Sequence, residues 1–251
     1  MTGRSAYTVL LLGALMAAAV AACSGASVKE GDASKAEFHF KLARNLYGER
    51  NLPMAQRELH MALRLNPGHA EAWHLKGFIL MGLDDLAGSA AAFQEALRIN
   101  PEFQEARNNL GTVYIAQGRY EDAIRTIKPL IEDPLYSTPA FAHGNLGWAY
   151  YQLGDTSSAR RHLEMSVFLS PKFCLGHNSL GMLQRDLGNL RVARESFEKA
   201  IEFCPKYDEP YYHLGVLLQQ QGDVEGARAR FEKCAEVGGG SPMGKRCQAR
   251  Q

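Results

Sequence analysis

From Ala36 onward, small and large apolar residues return along the chain in a fixed order about every 34 residues. The units can be numbered so that Pro67, Pro101, Pro171 and Pro205 fall at position 32. Position 8 then reads Ala43, Gly77, Gly111, Gly147, Gly181 and Gly215, and position 20 reads Ala55, Ser89, Ala123, Ala159, Ala193 and Ala227. Position 24 is large every time: Leu59, Phe93, Ile127, Leu163, Phe197 and Phe231. Two small positions followed by one bulky position fit a pair of helices that cross where the side chains are smallest, with the large residue as the knob. The pattern predicts helix-turn-helix units that cannot bury their apolar sides alone and therefore stack on one another as a solenoid.

Turn chemistry agrees with that register. Gly118-Arg119, Gly154-Asp155, Gly188-Asn189 and Gly222-Asp223 fall between the two helices of a unit, where glycine tolerates the left-handed backbone that ends a helix. Asn66-Pro67, Asn100-Pro101 and Ser170-Pro171 stop the second helices, because proline cannot continue the hydrogen-bond ladder. The units span 36–69, 70–103, 104–137, 140–173, 174–207 and 208–241, with Thr138 and Pro139 inserted between the third and fourth and a tail at 242–251.

These landmarks resemble the tetratricopeptide repeat (TPR). Trp73, Tyr114, Tyr150, Ala62, Ala96 and Ala200 fall on further positions of that pattern, and Lys76 departs from it where leucine is usual. The resemblance implies an all-α, right-handed superhelical solenoid of six repeats whose concave face, made by the first helices, holds another polypeptide. On that face Phe78, Met81, Phe141, Trp148, Tyr151, Met182 and Tyr212 form an aromatic and methionine-rich stripe, with Asn108 and Asn178 placed to bond a peptide backbone. Such a groove suits an apolar or amphipathic segment, aromatic anchors contributing most of the affinity. The paired lysines and arginines that clamp acidic chain ends in some relatives are missing.

The first 22 residues are different in kind. Arg4 precedes an uncharged apolar run from Val9 to Ala22, too short for a comfortable membrane span and suited to a signal-peptide core. Val20-Ala21-Ala22-Cys23 resembles a bacterial lipobox, which implies cleavage before Cys23 and lipid on that cysteine. Ser24 in the next position implies the outer membrane rather than the inner one. Residues 23–35 then read as a lipidated cysteine followed by a flexible tether, mostly Ser, Gly, Ala and charged residues. Several acyl chains anchor stably, each buried methylene contributing about 0.8 kcal/mol.

Charge narrows the partners. The chain carries 28 basic and 27 acidic residues; losing Arg4 with the signal leaves 28 − 1 = 27 against 27. No Lys/Arg run exists to release counterions from a nucleic acid. Four cysteines follow Cys23. Cys174 and Cys204 open and close the fifth unit, at the same end of an antiparallel hairpin and so within bridging reach. Cys234 and Cys247 flank the Gly238-Gly239-Gly240 hinge, and either pair is a disulfide or two buried thiols. None of the eight histidines forms a helical zinc motif, and no phosphate loop or serine elbow occurs. His143 and His177 share position 4 and read as packing residues. Neither a metal nor a cofactor is expected beyond the covalent lipid, and no enzymatic activity.

Signal, tether and six repeats together are similar in layout to the pilotin lipoproteins of type IV pilus systems. That resemblance implies a non-enzymatic protein on the periplasmic face of the outer membrane that binds a secretin subunit and promotes its targeting and multimerisation. A cell-envelope adaptor that gathers peptidoglycan enzymes or outer-membrane assembly factors has the same sequence signature. Replacing the lipid-bearing residue, Cys23→Ser, is expected to move the protein from the membrane pellet to the soluble fraction on cell fractionation; unchanged pelleting would refute lipidation there.

Overall fold

The computed structural model describes residues 30–250, and within them the chain is helical with no strand. The expected signal segment and Cys23 lie outside the described residues. Six antiparallel hairpins follow one another. They are α1 (Glu30–Gly48) with α2 (Leu52–Leu65), α3 (Ala70–Gly82) with α4 (Leu86–Ile99), and α5 (Gln104–Ala116) with α6 (Tyr120–Glu132). Next come α7 (Pro139–Gln152) with α8 (Thr156–Leu169), α9 (Cys174–Asp186) with α10 (Leu190–Phe203), and α11 (Glu209–Gln220) with α12 (Val224–Gly238). A short α13 (Pro242–Gln248) ends the chain. Each helix packs on its sequence neighbours, and first helices of adjacent hairpins also touch, as in α5 with α7 and α7 with α9.

The hairpins close on one recurring contact. A methyl group placed on Gly111 would lie 2.2 Å from Ile127, on Gly147 2.6 Å from Leu163, and on Gly181 2.6 Å from Phe197. Gly77 against Phe93 and Gly215 against Phe231 repeat the arrangement at 2.8 and 2.7 Å. The knob at position 24 therefore sits first against its own hairpin's glycine, and Phe197 also stacks on His213 of the next hairpin with ring centroids 5.7 Å apart. All six knobs are buried, each contributing about 1.5–3 kcal/mol as an upper figure. Where position 20 is Ser89 rather than alanine, its buried hydroxyl donates to the Gly77 carbonyl at 2.8 Å, so the polar group has a partner.

The turns inside the hairpins share one conformation. Gly118, Gly154, Gly188 and Gly222 have φ between 72° and 82°, and Arg50 (φ 61°) and Asp84 (φ 63°) take the same left-handed place in the first two hairpins. Asp85, Asp155 and Asp223 then cap the second helices, accepting the backbone N–H of Gly88, Ser158 and Gly226 at 2.9–3.0 Å. The Thr138-Pro139 insertion is absorbed in the turn after α6. Tyr136 turns inward to 5% exposure within the central core, and Pro139 opens α7, where its missing N–H costs no helix bond.

The N-terminal end corrects the sequence reading. The expected tether is helical from Glu30, because Ala36 and Phe40 are buried and the acidic Asp32 sits at the positive end of the helix. The tail beyond residue 241 is also helical. Ser241 caps it by accepting from Gly244 N at 2.9 Å, and α13 folds back on α11 and α12.

Because Gly147 faces both the Leu163 side chain and its backbone nitrogen at 3.0 Å, Gly147→Ala should lower unfolding free energy by about 1–3 kcal/mol in urea titrations. That loss outweighs the helix-propensity gain of up to about 1 kcal/mol. Gly82→Ala, with open space around it, is the control that should not destabilise.

Candidate functional site

First helices line one face of the array, and polar side chains run along it as a ladder. Asn109 pairs with His74 at 3.0 Å, and Asn145 Nδ2 donates to Asn108 Oδ1 at 3.2 Å and to Thr112 Oγ1 at 3.0 Å. Tyr151 donates its hydroxyl to Asp186, one hairpin on. Burial, with the Asp186 carboxylate beside it, pushes that hydroxyl up to about 12, so it stays protonated as a donor. These contacts span neighbouring hairpins and fix their mutual register.

The predicted stripe divides into three parts. At the N-terminal end Phe78 is 37% exposed, its ring edge-on to Tyr47 at 5.9 Å; it borders a 360 Å³ cavity shared with Phe40, Arg44, His74 and Phe103. Met81 is half-buried against the central core. In the middle, Phe141 is 44% exposed and meets Phe173 edge-on at 4.8 Å, while the Trp148 and Tyr151 rings lie 5.3 Å apart. Trp148 also borders a 300 Å³ cavity between α7, α9 and α11. Towards the C-terminus the face closes. Met182 packs on the last core cluster, and Tyr212 is only 4% exposed, with the guanidinium groups of Arg246 and Arg250 over its ring at 4.5 and 5.5 Å. The chain's own tail thus occupies the place expected for a partner at Tyr212.

The two asparagines are committed internally. Asn108 gives its oxygen to Asn145, and Asn178, 2% exposed, donates to the Tyr207 hydroxyl at 3.0 Å and Glu209 Oε2 at 3.2 Å. Sequence reasoning missed Asn145, Phe173, Tyr207 and Glu209 at this site. Glu209 occupies position 2 of its repeat, the position that flagged Phe141, so the same register could have found it.

Both candidate cysteine pairs are joined in the structure. Cys174 and Cys204 bridge the ends of α9 and α10 with Cα atoms 6.0 Å apart, and Cys234 to Cys247 ties α13 to α12 at 5.9 Å. Histidines serve packing and turns: His177, 5% exposed, contacts the Pro171 carbonyl at 2.8 Å, and His143 meets His162 nitrogen to nitrogen at 2.9 Å. Burial pushes the His162 imidazole down to about 4, aided by His143, so the pair is neutral at physiological pH. No group of three metal-binding side chains gathers among the described residues, and no helix there is long and apolar enough to cross a membrane.

A face of stacked helical hairpins that offers aromatic side chains defines a helical repeat protein of the kind that mediates protein-protein contact. The chain belongs to the tetratricopeptide repeat family: one profile, "Tetratricopeptide repeat", matches residues 40–102 and 108–172, and others of the family match 80–134, 181–222 and 208–237. Among curated relatives it is similar to Protein FlbA of Caulobacter vibrioides, 32% identical over 114 residues that span 41% of this chain and 19% of FlbA. Tetratricopeptide repeat protein 33 of Xenopus laevis is 31% identical over 103 residues, 40% of each chain. The matches thus span well under half of those relatives. Among solved structures it resembles PilW, described as a widely conserved type IV pilus biogenesis factor, with TM-score 0.74 and 20% identity over 85% of this chain and 98% of that one. PilF of Pseudomonas aeruginosa superposes with TM-score 0.70 and 18% identity over 88% of this chain and all of the other.

With the tail released, Tyr212 should open. The double substitution Cys234→Ser with Cys247→Ser is expected to cost about 2–4 kcal/mol and to raise nitration of Tyr212 by tetranitromethane, read by peptide mass mapping. Unchanged nitration would mean that α13 stays docked without its covalent tie.

Proposed function

We propose that this protein is a lipid-anchored component of the outer membrane, held through Cys23 on its periplasmic face. There it binds a secretin subunit and promotes that subunit's targeting and multimerisation in type IV pilus biogenesis. The observation that carries this reading is the correspondence of the whole repeat array with PilW and PilF, covering 98% and 100% of those chains. At these identities the likeness speaks for the fold, and the lipobox resemblance at Cys23 and the exposed aromatic edge add the rest.

The working surface in this reading is the middle of the first-helix face, Phe141, Trp148 and Tyr151, with Phe78 as a second anchor. Aromatic side chains offer large contact area with few rotors to freeze, which suits capture of an apolar or strand-edge segment before its proper neighbours arrive. The function needs binding alone and no bond-making step.

In a deletion strain, surface pili and heat-resistant secretin multimers should disappear while secretin monomer is still made. Normal multimers would turn the assignment towards an envelope adaptor. In the complemented strain Trp148→Ala should abolish partner capture, a loss of about 2 kcal/mol or more for a central aromatic anchor, while the melting temperature stays within a few degrees. Collapse of the fold would instead place Trp148 in the core.

A further inference from the structure

The cavity between α7, α9 and α11 has a chemistry of its own. Two aromatic rings line it, Trp148 and Phe173, the Phe173 ring lying in the notch left by Gly144 and Gly176, where added methyls would meet it at 2.7 and 2.9 Å. Its polar groups are acceptors in excess. Glu209 Oε2 receives the Asn178 amide at 3.2 Å and the Tyr207 hydroxyl at 2.5 Å, and among the described residues no donor reaches Oε1. Asn178 Oδ1 is buried and has no hydrogen-bond partner. Turning the amide over would aim its oxygen at the Glu209 carboxylate, so the orphaned acceptor is not an artefact of which way the amide points.

Glu209 also lacks a cation. The ion pairs of the described residues engage Glu37, Glu58, Glu71, Glu95, Asp122, Asp186, Glu195, Glu198, Glu232 and Glu236, and none engages Glu209. Burial and the Glu209 charge push the Tyr207 hydroxyl far above its ordinary range, so Tyr207 remains a donor to the carboxylate and not a competitor for its proton. A half-buried carboxylate beside an indole, with no internal counter-ion, is complementary to a cation that can also stack. An anion would meet Glu209 head-on, and a single carboxylate is too few ligands for a metal.

We infer that this cavity seats a lysine or arginine side chain of the captured polypeptide, its charge on Glu209 and its stem along Trp148 and Phe173. The inference rests on the reading of this face as the polypeptide-binding surface and adds the chemistry of one anchor. The 300 Å³ volume lies at the lower end of ligand pockets, about 300–1,000 Å³, and is ample for one long side chain. The basic residue gives register: apolar contacts at Phe141 and Trp148 can slide, whereas a charge can pair at one place only.

The test is a selection of displayed random dodecapeptides on the full chain in detergent micelles. Enriched peptides should share a lysine or arginine, and replacing it by norleucine should weaken binding at least tenfold. Glu209→Gln should weaken the lysine peptide about tenfold yet leave the weaker norleucine peptide unchanged, a coupling that a merely structural role for Glu209 would not produce. Trp148→Ala should weaken both peptides. Equal affinity of lysine and norleucine peptides, or equal loss of both on Glu209→Gln, would overturn the inference while leaving the groove standing if Trp148→Ala still weakens binding. Peptides indifferent to Trp148→Ala, or no enrichment at all, would overturn the groove itself and the inference with it.

Discussion

The structure depends on one steric constraint: in five of the six hairpins a large side chain at position 24 lies against a glycine at position 8, so close that an added Cβ atom would force a shift. That contact sets how closely the two helices approach, and each hairpin sets the platform for the next. Because the partners are 16 residues apart in every unit, the packing is local in sequence and the same solution recurs along the array. The first hairpin has Ala43 and Leu59 at these positions, in one buried cluster, which keeps the pattern with one methyl more at the small position. Solenoid geometry is thus written by pairs of residues and not by any long-range closure.

Function is layered on that frame by residues that the packing leaves over. Second helices spend their apolar sides on the core and carry exposed ion pairs such as Arg191–Glu195 and Arg194–Glu198, each a weak surface contribution. First helices split their duties. One side faces the knobs, and the other carries the ladder of Asn109, Asn145 and Tyr151 together with the exposed rings of Phe78 and Phe141. A binding face made this way is already ordered before any partner arrives, which reduces the entropy lost on association.

Most of the architecture could be read from the chain because glycine, proline and bulky positions shared one register. What escaped followed other rules. Arg50 and Asp84 hold the left-handed turn without being glycine, so a search for glycine finds only four of the six turns. The early start of α1 and the whole of α13 are built from short polar stretches with no periodic face, and tertiary contact decides them. The repeat register assigns residues to the first-helix face but not the partners they meet there. It could not show that Asn108 and Asn178 would be consumed by neighbours, or that Tyr212 would be roofed by Arg246 and Arg250. Those outcomes depend on partners in adjacent hairpins and in the tail, which spacing within one repeat does not encode.

The two disulfides are confined to the fifth and sixth hairpins and the terminal helix. One closes the fifth hairpin on itself and the other locks the terminal helix over the sixth. Mechanical load along the array would therefore meet an asymmetric object. Among the described residues the first four hairpins have only noncovalent contacts to resist being peeled away one by one, whereas peeling that reaches Cys174 meets a covalent loop, closed over a sequence separation of 30, that cannot be drawn out. The molecule is a ratcheted spring, yielding from its leading end and rigid at its trailing one.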